Sequence, residues 1–161
     1  MINSQIVCSA FPGTGKSHYC YYDADYIPAG FCCDSDSSKF DKSEFPQNYI
    51  EHINSNIGKY EYIFVSSHKE VRDSLLDNCI FFYLVFPSNK RKSEFIQRYR
   101  DRGNPESFIE LIDTNWDNWI NEMYWIEYGC EKITMVLDNL EDELNHLNRV
   151  VVMDDDLEDV F

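Results

Sequence analysis

The chain is short of positive charge and shows no long apolar run and no paired-cysteine motif, and no export signal is expected at its start. Each absence excludes something. Only 14 Lys and Arg stand against 29 Asp and Glu in 161 residues, a net charge of −15. Such a balance opposes non-specific binding to nucleic acid, which needs a basic surface. No stretch of 18 apolar residues occurs, so no membrane-spanning helix is expected. The opening Met1-Ile-Asn-Ser-Gln5 lacks the basic flank and apolar core of an export signal, and a cytoplasmic protein is expected. The six cysteines (Cys8, Cys20, Cys32, Cys33, Cys79 and Cys130) include no CxxC pair. Cys8, Cys32 and Cys79 fall in or beside apolar, strand-like runs, and small buried thiols are expected rather than disulfides or zinc ligands. No internal repeat and no low-complexity linker divides the chain. One domain over residues 1–153 is expected, followed by a solvated acidic tail at 154–161 that carries five of the acids.

What is present centres on Ala10-Phe-Pro-Gly-Thr-Gly-Lys-Ser17. It follows a short apolar run, residues 5–10, that reads as a buried strand, and it leads into a helix from Lys16 to about Tyr22. Strand, glycine-bearing loop, Lys-Ser and helix is the context of a phosphate-binding loop. Gly13 and Gly15 let the backbone curl so that successive N–H groups turn towards an anion. Pro12, Gly13, Thr14 and Gly15 would form the cradle, Lys16 would reach the outer phosphates, and the Ser17 hydroxyl would be placed for Mg²⁺. The usual pattern begins with a glycine where this chain has Ala10, which is acceptable if the Ala10 φ is negative.

Further strands are expected at Gly30–Asp34, Tyr60–Ser66, Cys79–Phe86 and Lys132–Leu137. Several are continuously apolar, which suits strands covered on both faces, and the helices between them imply a mostly parallel sheet. The helices expected are Ser43–Ile57, with an apolar stripe of Tyr49, Ile50, Ile53 and Ile57; His68–Asp77; the basic Asn89–Arg102; Glu106–Tyr124; and Leu140–Val150. The stripe of Phe108, Ile112, Trp116, Trp119, Ile120 and Met123 reads as core rather than as a base-stacking platform.

Three clusters could carry chemistry. Asp34 and Asp36 stand where the second strand ends, the edge at which open parallel sheets bind ligands. One could hold Mg²⁺, for which Asp36 is the candidate beside Ser17, and the other could take a proton from an attacking hydroxyl. An Asp-Ser turn capping the next segment is the plainer alternative. His68 and Arg72 follow the third strand, one helical turn apart, and could meet a substrate phosphate or base. Residues 90–102 hold six of the 14 basic residues. Arg91, Arg98 and Arg102 could form a lid, about residues 88–106, that carries guanidinium groups over transferring phosphate and excludes water. The alternative is a solvated face paired with Glu94 and Asp101.

The Ala10–Ser17 loop, the Asp34-x-Asp36 strand end and the arginines after the fourth strand, in this order, resemble the small phosphate-loop kinases of nucleosides, nucleotides and similar metabolites. Phe64-Val-Ser-Ser-His68, Arg98-Tyr-Arg-Asp-Arg-Gly-Asn104 and Asn115-Trp-Asp-Asn-Trp119 look like the short nucleotide-kinase-like proteins of bacteriophages and prophages, which would place the chain in the host cytoplasm. The resemblance covers about residues 5–137. It implies an α/β P-loop fold with a five-stranded sheet of order 2-3-1-4-5, an ATP–Mg²⁺ donor and a closing helical lid. It also implies donor phosphates on Lys16 and Ser17, a base or acceptor-binding carboxylate at Asp34 or Asp36, and lid arginines at Arg98 and Arg102. No Gly-Gly pair follows the third strand, where shikimate-type members bind their acceptor. The expected activity is transfer of the ATP γ-phosphoryl group to a nucleoside or nucleoside monophosphate. The rivals are a kinase acting on DNA, at a modified base or a 5′ hydroxyl, and a nucleotide-binding interaction protein without transfer activity.

Overall fold

Runs of consecutive apolar residues too short for helices become the strands of one sheet in the computed structural model of the chain, which describes residues 5–21 and 31–135. In chain order the elements are β1 (Ile6–Ala10), α1 (Lys16–Tyr21), β2 (Cys32–Asp34), α2 (Gln47–Asn56), β3 (Tyr62–Ser66), α3 (Lys69–Asp77), β4 (Phe82–Pro87), α4 (Lys92–Asp101), α5 (Glu106–Tyr124) and β5 (Cys130–Met135). The five strands form a single all-parallel sheet of order β2-β3-β1-β4-β5. The order expected from the resemblance is therefore the one observed. Neighbouring residues of a strand face opposite sides of a sheet, and Val7–Ala10, Tyr62–Val65 and Leu84–Pro87 are buried without a break. The three central strands are thus covered on both faces.

Several boundaries differ from expectation for local reasons. α2 starts at Gln47, not Ser43, because Pro46 has no N–H to donate and keeps the preceding Phe45 out of the helical region. Tyr49, Ile50 and Ile53 are buried as expected, but Ile57 lies past the helix and is exposed. The basic segment is not one helix: Asn89–Arg91 form a 3-10 turn, capped by the Ser88 hydroxyl, before α4 begins. β4 starts at Phe82 because Cys79 turns the chain at φ +55°. β2 is described from Cys32 and β5 runs from Cys130 to Met135. The expected helix Leu140–Val150 and the tail 154–161 lie outside the described residues.

The expectation of buried free thiols is corrected at two positions. Cys20 and Cys32 are joined in a disulfide that links α1 to β2. Cys79 is exposed, and Cys8 is the buried free thiol of the expected three. No helix among the described residues is long and apolar enough to cross a membrane.

Candidate functional site

Parallel pairing in register puts the strand ends, and the loops that leave them, along one edge. Ala10 lies beside Ser66 and Val85, and Asp34 beside Phe64. The glycine loop, the Asp34–Asp36 turn and the Ser66–His68 turn therefore leave adjacent strands on the same edge.

The loop departs from β1 with Phe11 N–H bonded to Val85 O at 2.9 Å. Thr14 is buried and closes the curl, its hydroxyl donating to Phe11 O at 2.8 Å. Gly13 has φ +83° and Gly15 φ +104°, a region that side chains rarely adopt. Gly13 is required twice over, because a Cβ there would come within 2.7 Å of Tyr99 Cε1. Ala10 needs no such freedom: it is a strand residue, and Cys79 is the one non-glycine residue with positive φ among the described residues.

Lys16 folds back and donates to Ala10 O at 2.7 Å. Burial holds its ammonium below the ordinary lysine range, Asp34 and Cys8 pull the other way, and Arg102 adds to the lowering. The Ser17 hydroxyl donates to Asp34 Oδ2 at 2.8 Å. Asp36 takes the plainer role: it caps the Ser37–Lys39 turn, accepting from Ser38 N–H at 2.9 Å, and hydrogen bonding to Ser38 holds its carboxyl below the usual range. Ser17 and Asp34, rather than Ser17 and Asp36, are the oxygen pair brought together.

α4 is docked on this loop through Phe95, Ile96 and Tyr99, which are buried. The Tyr99 hydroxyl donates to Pro12 O at 2.7 Å, and Arg98 donates to Gly13 O at 3.2 Å. The basic residues around it are largely paired. Arg98 and Arg91 share Glu94 at 2.6 Å each, Lys92 reaches Asp113 at 2.9 Å and Arg100 reaches Glu106 at 3.8 Å. Asp101, an expected partner, instead accepts from Gln97. Arg102 differs from the other arginines of the run: it makes no ion pair among the described residues and it walls the loop cavity. That cavity, of about 550 Å³, is bounded by residues 12–18, Tyr99, Arg102, Asn104 and Phe108. Asn104 Oδ1 is buried there without a hydrogen-bond partner among the described residues.

A second cavity of about 550 Å³ shares Pro12 and Phe108 with the first. Its apolar wall includes Phe45, Phe108, Leu111 and Trp119, and its charged wall includes Lys42, His68 and Glu70. The α5 stripe thus divides. Ile112, Trp116, Ile120 and Met123 are buried, Ile112 and Met123 at the wall of the second cavity, whereas Phe108 and Trp119 are partly buried and line it more openly. His68 is open to this second cavity. Its Nδ1 lies 2.6 Å from Ser66 Oγ, and its backbone N–H also donates to that oxygen at 3.3 Å. Loss of solvent around the ring, then the charges of Lys16 and Lys42, lowers its pKa from the ordinary value. Arg72 lines the same cavity, but its guanidinium is committed to Ser67 O at 2.9 Å and Glu122 at 3.2 Å. Arg91 walls neither cavity and binds Glu94 and Met135 O. The sequence reading singled out neither Lys42 and Phe45 nor Asn104. They come from loops, where no periodicity marks them.

No group of three or more His, Cys, Asp or Glu able to hold a metal occurs among the described residues. The Ser17–Asp34 pair still suits Mg²⁺, which takes hard oxygen donors and is commonly held by one or two side chains together with substrate phosphates.

The chain matches no family model, and no curated protein or solved structure is similar enough to it to count as a match.

Proposed function

We propose that the chain is a P-loop phosphotransferase that moves the γ-phosphoryl group of ATP to a nucleoside or nucleoside monophosphate. The observation that carries this reading is the pairing of Lys16 with Arg102 at one polar cavity, within electrostatic reach of each other. Burial and the Arg102 charge oppose the Lys16 ammonium while Asp34 and Cys8 favour it, and a polyanion in the cavity would add a partner for both cations. The glycine curl beside them offers backbone donors to the same anion.

In this reading the loop cavity takes the triphosphate. Mg²⁺, held by Ser17 and Asp34 together with the phosphates, would supply charge neutralisation when bound. Lys16 and Arg102 would stabilise negative charge on the transferring group, and Tyr99 and Arg98 hold the loop in shape through Pro12 O and Gly13 O. The adjoining cavity takes the acceptor, with a flat base against Phe45, Phe108 and Trp119 and polar groups towards Lys42 and His68. The cavities adjoin at Pro12 and Phe108, so ligands in them would lie side by side, and proximity is much of what phosphoryl transfer requires.

The test is ATP consumption with Mg²⁺ against nucleosides, nucleoside monophosphates and short DNA, with Lys16→Ala as control. Transfer to one acceptor, lost in the variant, supports the reading and names the substrate. Transfer to DNA alone would move the acceptor to a hydroxyl of a polymer. ATP binding without transfer to anything would replace the kinase with an interaction protein.

A further inference from the structure

Asp34 and Asp36 each hold another group in the structure. Asp34 receives the Ser17 hydroxyl, and Asp36 caps the Ser37–Lys39 turn. A general base needs an uncommitted lone pair within reach of the acceptor. His68 meets that description on the acceptor side. It leaves the end of β3 directly beyond Ser66, which pairs with Ala10, and it lines the cavity that adjoins the glycine loop.

The hydrogen bonds around the ring are compatible with a neutral tautomer that carries its proton on Nδ1. Ser66 Oγ accepts the His68 backbone N–H at 3.3 Å and has a second lone pair for Nδ1–H at 2.6 Å. With the proton on Nδ1, Nε2 keeps its lone pair. Among the described residues Nε2 carries no hydrogen bond. The charged groups around the ring are Lys16 of α1, Lys42 from the loop before α2, and Glu70 and Arg72 of α3. Three of the four are cations and oppose a charge on the imidazole.

We propose that His68 is the catalytic base of the transfer reaction, with Ser66 as the positioning residue that holds its Nδ1–H tautomer. This rests on the kinase reading and, within it, on a nucleoside hydroxyl as the acceptor, since a monophosphate would attack through an already anionic oxygen. As the acceptor oxygen forms its bond to the γ-phosphorus, the acceptor hydroxyl proton passes to Nε2. The bond from the γ-phosphorus to the bridging oxygen breaks, and its electron pair leaves on ADP. The imidazolium then returns its proton to solvent.

The experiment has two arms on the full chain. The first is nitrogen-15 spectroscopy of the histidine rings between pH 5 and 8. The expected result is a neutral His68 at pH 7 with Nδ1 protonated. A cationic ring, or a proton on Nε2, overturns the proposal whatever the substrate. The second arm compares wild type, His68→Gln and Ser66→Ala with the acceptor found in the panel. Wild-type kcat should fall as pH drops through the His68 pKa, below about 6.5, because protonation removes the lone pair. His68→Gln should lose about 100-fold in kcat and lose that acidic limb, with the KM for ATP unchanged. Ser66→Ala should keep the limb and shift its midpoint. If Lys16→Ala abolishes transfer while His68→Gln keeps the wild-type kcat and pH profile, His68 is not the base and the kinase reading stands. If wild type transfers to no acceptor, the kinase reading falls and the base with it.

Discussion

The two adjoining cavities are built differently. The loop cavity is made mostly from one stretch, residues 12–18, whose shape comes from backbone curl and two positive-φ glycines. The second cavity is made from side chains of four distant segments: Phe11 and Pro12, Lys42 and Phe45, Ser67 to Arg72, and the α5 face with Phe108 and Trp119. The contrast separates what a loop can be built to hold from what a pocket of side chains can distinguish. A cradle of backbone groups recognises any polyphosphate, because every residue carries the same backbone donors. Discrimination among acceptors needs particular side chains, and only folding brings those together.

The strongest way to break the comparison is Lys16→Ala. It should lower phosphoryl transfer by about 10²–10³-fold, by analogy with loss of one charge-stabilising group, and rate measurements at saturating ATP will show it. A surviving rate within tenfold would mean that the loop is not the donor site. The next effect concerns how the loop side is tied down. Cys20 lies one helical turn after Ser17 and Cys32 two residues before Asp34, so the disulfide and the Ser17–Asp34 hydrogen bond join the same two elements. Closing a chain separation of 12 residues stabilises by about 3 kcal/mol on chain-entropy grounds. Cys20→Ser with Cys32→Ser should therefore lower unfolding stability by about that amount in denaturant titrations under non-reducing conditions. An unchanged midpoint would remove the clasp from the account.

Gly13→Ala is expected to cost about 1–3 kcal/mol, since the new Cβ meets Tyr99 in a backbone conformation that side chains avoid. The Tyr99 contact ties this to α4, so Gly13→Ala with Tyr99→Leu should recover part of the loss. The smallest effect sharpens the distinction between cavities. Trp119→Ala should raise the acceptor KM about tenfold and leave the ATP KM in place, because Trp119 lines the second cavity and not the first. Equal changes in both constants would mean that the cavities act as one.

Much of the fold could be read from residue order. The unbroken apolar run of β3, and the nearly unbroken run of β4, follow from a sheet covered on both sides, and the helical stripes of α2, α3 and α5 bury Ile53, Leu75 and Trp116 as their spacing implies. The site was legible in part. Lys16 and Ser17 were marked by the glycines before them, but Asp34 and Asp36 could not be ranked. Two acids two residues apart would face the same way on a continuing strand. β2 stops at Asp34, however, and Asp36 turns to cap the segment that follows. That Arg72 is engaged by Glu122, 50 residues away, was not legible for a similar reason. The Cys20–Cys32 bond was missed because spacing alone does not tell which cysteines meet.

The chain order by itself determined the alternation of strands and helices, the glycine curl before Lys16 and the concentration of basic residues at 90–102, because these depend on neighbours along the backbone. Tertiary structure alone decided which acid stands at Ser17, which arginine of the basic run makes no ion pair among the described residues, and which aromatic residues of α5 line a cavity. Those outcomes depend on packing and pairing between segments far apart in the chain, where burial and a competing partner outweigh local preference.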